Sequence, residues 1–177
     1  KRQGRGLAYS RALSEWCKNV MPYTSARFIE VASLFAETGW REHPLYRARV
    51  HFNRVLGGAY VGATHRLRFK LALAAYYAHG VKYVPDEIKV QEERLLCAAD
   101  TAECRALGAL FELAQVLDPG AKGTLDAFTL VRKNGGGYVL EGTDSVLRMA
   151  AVEVERLQKQ AEQALAEYEN QYAHKDN

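Results

Sequence analysis

Residues 66–79 constrain the fold most, because this segment is apolar on most sides when it is built as a helix. Its large apolar residues are Leu67, Phe69, Leu71, Leu73, Ala74 and Tyr76. A helix that is apolar nearly all round lies in the middle of a core rather than on its surface. The segment therefore predicts a bundle in which other helices surround it. With 177 residues, 48% of them hydrophobic, the chain is long enough for one such core and a small appendage.

The surrounding helices are indicated by apolar spacing, capping residues and helix breakers. Phe28, Val31, Ala32 and Phe35 recur at the spacing of one helical face. Pro85 suits a first helical position, and Asp100 with Glu103 resembles a capping box. The run Asp118-Pro119-Gly120 is typical of a helix end. The predicted helices cover residues 7–20, 26–36, 45–61, 66–79, 85–98 and 101–117.

The hydrophobic period changes after residue 118. Residues 124–132 alternate and contain β-prone side chains, residues 133–137 form a glycine-rich turn, and residues 138–141 alternate again, which predicts a β-hairpin. Asp144 or Ser145 is expected to cap a long final helix. We therefore predict a mainly α (α+β) fold, with a helical domain over residues 1–118 and a small α/β lobe over residues 119–177.

Residues 41–70, called here the basic segment, carry seven Lys or Arg and one acid, Glu42. The segment has a formal charge of +6 in a chain whose total is +3. Like charges crowded on one surface repel, and a bound polyanion would relieve that repulsion. The alternative is that folding brings acids such as Glu92, Glu93 or Glu153 against these cations.

If residues 45–61 are helical, Arg47, His51 and Arg54 lie on one face, and Arg66 and Lys70 lie one turn apart on the next helix. Guanidinium groups suit phosphate oxygens, because they are always charged and can donate twice. We expect Arg47 and Arg54 to be exposed and Arg41 to be tied to the structure. The candidate phosphate-binding residues are Arg41, Arg47, Arg54, Arg66, Arg68 and Lys70, with His43, His51 and His65 as secondary donors.

Cysteines and histidines indicate neither a disulfide nor a complete metal site. Cys17, Cys97 and Cys104 contain no CxxC pair, so we expect reduced, buried thiols. Four histidines between His43 and His79 lie near Glu37, but the position where a metal-binding His-Asp doublet would fall is Ala36-Glu37, and alanine supplies no ligand. We predict no metal and no catalytic residue in this chain. The glycines at 135–137 follow a strand and precede another, which favours a hairpin turn over a phosphate loop.

No apolar run is long enough to span a bilayer, and the first residues lack the apolar stretch of a signal peptide. These features predict a cytoplasmic protein without a membrane partner, and a chain that is a piece of a longer one.

The phrase from Glu37 to Arg47, ETGWREHPLYR, resembles a phrase in the C-terminal helical domain of the exopolyphosphatase/guanosine pentaphosphate phosphatase (Ppx/GppA) family. A later element, Gly62, His65 and Arg68, and the helix end His79-Gly80 also fit. The looser similarity covers most of the chain. Departures include Thr64-His65-Arg66, where that branch has Asp-His-Pro, and Ala78, where it has Arg.

The resemblance implies a degenerate HD-like helical domain followed by a terminal α/β lobe. It implies that the catalytic machinery lies upstream in an actin-like fold, that the parent enzyme depends on Mg²⁺, and that this piece holds no cofactor. It also implies that this region grips inorganic polyphosphate or another phosphate-rich anion, contacts the catalytic domains of its parent chain, and forms a homodimer.

Two other functions stay open at this stage. The histidine cluster is compatible with a self-contained HD-type metal phosphohydrolase acting on an alarmone-like nucleotide. The apolar stripe that ends in Tyr168 and Tyr172 is compatible with a dimerisation module, because terminal aromatic residues need covering. RNA binding is disfavoured, because the aromatic residues among the cations fall mostly at core spacings.

Overall fold

A computed structural model describes residues 6–36, 42–81, 83–120, 122–134, 136–142 and 151–173. The described helices are α1 (Gly6–Lys18), α2 (Ala26–Phe35), α3 (Arg47–Leu56), α4 (His65–Tyr77), α5 (Asp86–Leu95), α6 (Ala98–Leu117) and α7 (Ala151–Ala173). A short 3₁₀ turn (Leu125–Ala127) leads into strands β1 (Phe128–Arg132) and β2 (Tyr138–Gly142). The predicted mainly α fold with one small hairpin is confirmed.

Helix α4 is the central helix, as its apolar sequence predicts. Every residue from Phe69 to Tyr77 except Lys70 is buried. Helix α4 packs against α3 on one side and against the 20-residue helix α6 on another, and α6 packs in turn against α7. Gly108 permits the close crossing of α4 and α6, because a Cβ at this position would lie 2.8 Å from the carbonyl carbon of Tyr77.

The hairpin adds a small apolar face to the same core. Its strands are antiparallel and in a register that pairs Leu130 with Leu140 and Phe128 with Gly142. Phe128, Leu130, Tyr138 and Leu140 are buried and belong to the core cluster that also contains the helices. The indole nitrogen of Trp16 in α1 donates to the carbonyl oxygen of Phe128 at 3.0 Å, which joins α1 to the hairpin. The proposed domain boundary at residue 118 stays a prediction.

Several predicted boundaries were wrong by a few residues. Helix α3 is shorter than the predicted range of 45–61, and Pro85 precedes α5 as its N-cap rather than opening it. The capping box at α6 exists, but Cys97 is the N-cap and Asp100 is its third residue, so Asp100 is not the cap itself. The predicted caps of the last helix, Asp144 and Ser145, lie outside the described residues.

The end of α6 falls where the breaker sequence predicts, and a buried carboxylate fixes the chain beyond it. Asp118 is fully buried, and its Oδ1 accepts from the backbone nitrogen of Lys122 and the hydroxyl of Thr124, both at 2.8 Å. The Thr124 hydroxyl also contacts the carbonyl of Leu117 at 3.1 Å. These bonds turn the chain from α6 into the hairpin.

The prediction for the cysteines holds for two of the three. Cys17 and Cys104 are buried free thiols, whereas Cys97 is exposed at the start of α6. None of the described helices is long and apolar enough to cross a membrane.

Replacement of Tyr168 by Phe is expected to destabilise the fold. Tyr168 is fully buried in α7, and its hydroxyl accepts from the backbone nitrogen of Tyr23 at 2.9 Å and from the hydroxyl of Thr24 at 3.1 Å. Loss of the acceptor leaves these donors without a partner, which costs about 1–3 kcal/mol. Urea denaturation should show this loss.

The matched control is Tyr83→Phe, because Tyr83 is 85% exposed and its side chain takes no part in this network. That variant should unfold at the same urea concentration as the parent. Equal stability of the two variants would mean that the Tyr168 hydroxyl does not anchor α7.

Candidate anion-binding surface

The basic segment folds into helix α3, the loop after it and the first half of α4. Its described cations divide into three sets according to their acid partners: those in exposed ion pairs, those in a partly buried ion cluster, and those without an ion pair among the described residues. Arg41 lies outside the described residues, so its predicted structural role stays a prediction.

The first set consists of Arg49 and Arg54 on α3. Arg49 pairs with Glu87 of α5 at 2.8 Å, and Arg54 pairs with Glu42 at 2.8 Å. About half of each guanidinium side chain is exposed. Exposed pairs of this kind contribute little to stability and are screened by salt. Both arginines can therefore exchange a carboxylate partner for another anion.

The second set consists of Arg66 and Lys70 on α4, which face two acids of α6. Lys70 pairs with Glu103 and, at 3.0 Å, with Asp100, while Arg66 also pairs with Asp100. The ammonium of Lys70 lies 4.6 Å from the ring centroid of Phe28. The carboxylate side chain of Glu103 is only 3% exposed, so Lys70 neutralises a charge that has no access to water.

The electrostatics of this cluster favour the charged forms. Burial alone would lower the pKa of Lys70, but the hydrogen bonds and charges of Glu103 and Asp100 raise it above its ordinary value. Burial would raise the pKa of Asp100, and its bonds to Arg66 and Lys70 lower it instead. Arg66 and Lys70 therefore serve first to join α4 to α6.

The third set has no ion pair with any described residue. It contains Arg47 and Arg68, together with His43 and His65 at exposed positions. Arg47 is half-buried, and its Nε donates to the carbonyl oxygen of Glu42 at 3.4 Å. Arg68 is half-buried as well, and its Nε is buried without a hydrogen-bond partner in the described part of the chain. Among the described residues of the basic segment, these are the two guanidinium groups that no carboxylate pairs with.

His51 differs from its prediction, because it lies in the core and not on an exposed face. Its side chain is fully buried, and its Nδ1 lies 2.9 Å from Nε2 of His79. His51 is also hydrogen-bonded to the backbone of Phe35, and in the neutral pair one of the two facing ring nitrogens donates to the other. The pair ties α3 to the ends of α2 and α4, and only Arg54 of the predicted face is exposed.

The charge of both imidazoles is suppressed by their surroundings. Burial is the main cause, and it lowers the pKa of His51 to about 4 and that of His79 to about 3. Arg54 adds to the effect at His51, and His51 and Arg47 add to it at His79. Both rings are therefore neutral at pH 7 and act as hydrogen-bonding groups that hold α3 in place.

The alternative that acids from elsewhere neutralise the basic segment holds for three cations, Arg49, Arg66 and Lys70, while Arg54 pairs with Glu42 of the segment itself; the outside acids differ from those expected. The outside partners are Glu87, Asp100 and Glu103. Glu153, which was expected, pairs with Arg156 on its own helix. The sequence spacing is compatible with the ion cluster between α4 and α6. Asp100 and Glu103 lie one helical turn apart, and so do Arg66 and Lys70.

The metal hypothesis gains no support from the histidines. Across the ranges that the structure covers, no group of three or more His, Cys, Asp or Glu side chains is arranged to hold a metal ion. His79 is instead bonded to His51, and Glu37 lies outside the described residues. The argument for dimerisation from Tyr168 and Tyr172 loses part of its support, because Tyr168 is fully buried within the chain, whereas Tyr172 is partly buried and stacks on Tyr23. The homodimer itself stays a prediction.

The comparison with protein families identifies the class to which this helical region belongs. A family model described as "Exopolyphosphatase, C-terminal" matches residues 10–167. The match covers most of the 177 residues, so the chain belongs to the exopolyphosphatase C-terminal family. The resemblance drawn from the Glu37–Arg47 phrase is thereby confirmed. A search of curated proteins found no significant match.

Lys70→Met should destabilise the protein by about 3 kcal/mol, because it leaves the buried carboxylate of Glu103 without its partner. Methionine keeps an unbranched apolar side chain of similar length and removes the ammonium together with its contact to the Phe28 ring, so a loss measured by urea denaturation would report the charge. Arg66→Gln is the control, because the side chain of Arg66 is largely exposed and Lys70 remains beside Asp100. If both variants were as stable as the parent, the ion cluster would not join the helices.

Stability should fall as the pH falls from 7 to 5.5. The pKa of each paired histidine is lower in the folded chain than in the unfolded chain, so the unfolded chain binds more protons below about pH 6.5. The two together remove about 2–3 kcal/mol over this interval. Urea titrations should show that the free energy of unfolding changes less between pH 7 and pH 5.5 in His79→Gln than in the unmutated chain.

The control for this titration is His65→Gln, because His65 is exposed at the start of α4. It should keep the pH dependence of the parent chain. If the stability of the unmutated chain were the same at the two pH values, the buried histidine pair would not stay neutral in the folded chain.

Proposed function

We propose that this region binds inorganic polyphosphate and holds it for the upstream catalytic domains of a parent exopolyphosphatase. The proposal rests on the family of the chain and on the cations of α3 and α4. The observation that carries it is that Arg47 and Arg68 have no ion pair among the described residues, beside two exposed arginines in weak ion pairs. No bond breaking is assigned to this chain.

The structure changes which of the candidate residues we expect to contact the ligand. Arg47, Arg54 and Arg68 are the principal candidates, joined by Arg49, which was not among the residues predicted from sequence. His43 and His65 are exposed and can add ring N–H donors. Arg66 and Lys70 are secondary, because a phosphate would have to displace the carboxylates of α6. His51 acts beneath the surface by positioning α3.

The chemistry of these groups suits a linear polyanion. A guanidinium donates two parallel hydrogen bonds to a phosphate and stays charged at any physiological pH. Polyphosphate repeats its charge along a flexible chain, so cations spaced over two neighbouring helices can be engaged one after another. Such contacts release counterions, and the affinity should fall steeply with salt.

Replacement of Arg47 and Arg54 by Ala tests the proposal. Binding of long-chain polyphosphate, measured by calorimetry over a series of salt concentrations, should weaken about tenfold or more. The slope of log Kd against log salt should decrease by about one to two, because fewer counterions are exchanged. The melting temperature should stay nearly unchanged, since the Arg54 pair is exposed.

The control is Arg94→Ala with Arg132→Ala, two exposed arginines outside the basic segment. It removes the same net charge from α5 and the hairpin and should lower the affinity far less. If both double variants lost the same amount of affinity, binding would depend on the net charge of the chain and not on the cations of α3 and α4. The proposal would be overturned if the unmutated chain did not bind polyphosphate. It would also be overturned if the Arg47/Arg54 variant melted early and kept its full affinity.

A further inference from the structure

The protein also has a cavity, which differs in character from the cationic surface of α3 and α4. It has a volume of about 770 Å³ and is formed by α2, the loop before α4, the first half of α4 and the end of α7. No residue of α3 lines it. Its volume falls within the range of sites that bind small organic molecules, about 300–1,000 Å³. We call it the aromatic groove.

Two pairs of aromatic rings line the aromatic groove. Tyr23 and Tyr172 are stacked, with ring centroids 5.3 Å apart and planes 9° apart. Phe35 and Tyr60 meet edge to face with centroids 5.3 Å apart. The remaining apolar lining includes Phe28, Val31, Val61, Leu67 and Leu71. Two of the apolar rim residues are strongly exposed, since Val61 is fully accessible and Tyr23 is 51% exposed.

Three charged side chains line the aromatic groove, and Arg27, which has no ion pair among the described residues, lies near Glu30, a carboxylate already paired with Lys18. Lys70 and Glu103 line it but pair with each other. Arg27 also lines it, is exposed, and makes no ion pair with any residue in the described ranges. A ligand that complements this surface has a flat apolar body to contact the rings and one acidic group to pair with Arg27.

We propose that the aromatic groove binds a small planar aromatic acid. A phosphate chain is a poor occupant, because the apolar walls would leave most of its oxygens without hydrogen bonds. This site is therefore distinct from the polyphosphate surface, and a ligand bound there contacts α2, α4 and α7 at once. Such a ligand would lie against Phe28 and Lys70, and the ammonium of Lys70 belongs to the ion cluster with α6.

Amide shifts of the ¹⁵N-labelled chain, titrated with 2-naphthoate and with its neutral isostere 2-naphthamide, test the proposal. Both probes should shift amides in residues 23–35 and 60–71, and 2-naphthoate should bind more tightly. Arg27→Gln should weaken 2-naphthoate about fivefold and leave 2-naphthamide unchanged, as expected for one exposed ion pair. Long-chain polyphosphate should not displace either probe.

A filled groove supplies the second arm. Ala63 lies on the loop that lines the cavity, so Ala63→Trp should occupy the space without disturbing a helix. This variant should lose both probes and keep its affinity for polyphosphate. Shifts centred elsewhere, equal binding of the two probes, or full binding by Ala63→Trp would overturn the proposal. Polyphosphate binding could fail independently, because the two surfaces share no principal residue.

Discussion

The contact between α4 and α6 is the constraint on which the other parts of the structure depend. Helix α4 is buried from Phe69 to Tyr77 except at Lys70, and Gly108 lets α6 approach its backbone closely. The close approach brings Lys70 into a partly buried position, where an unpaired ammonium would be costly. Asp100 and Glu103 on the facing turn of α6 remove that cost. Apolar packing and ion pairing therefore require the same relative position of the two helices.

This pairing also divides the basic segment into parts with different roles. Arg66 and Lys70 of α4 are committed to α6, whereas Arg68 of α4 and the cations on α3 face exposed acids or none among the described residues. Helix α3 is held by Phe52, which packs edge to face on Phe69 and Tyr76, and by the buried histidine pair. The segment is therefore one feature of the sequence but two features of the structure, a structural ion cluster and an accessible cationic surface.

The last described helix completes the body of the protein from the other end of the chain. Leu157, Ala161 and Leu165 of α7 are buried in the common core, and Tyr168 is bonded to the turn between α1 and α2. Tyr172 then stacks on Tyr23 at the mouth of the aromatic groove. Of the aromatic stripe, Tyr168 is buried within the chain, whereas Tyr172 is partly buried and lines the groove.

Sequence alone determined those features that depend on neighbouring residues. The apolar residues on most sides of residues 66–79 predict the central helix, and the breaker after Leu117 predicts the end of α6. The alternation on both sides of the glycine turn predicts the hairpin. These features could be predicted because periodicity and turn chemistry act over a few residues. The Glu37–Arg47 phrase indicated the family. Only the tertiary structure decided which cations are free. Arg66 and Lys70 meet acids more than thirty positions away, and His51 points inward because α2 and α4 close over it. Such pairings depend on how helices cross, and local sequence carries little information about that.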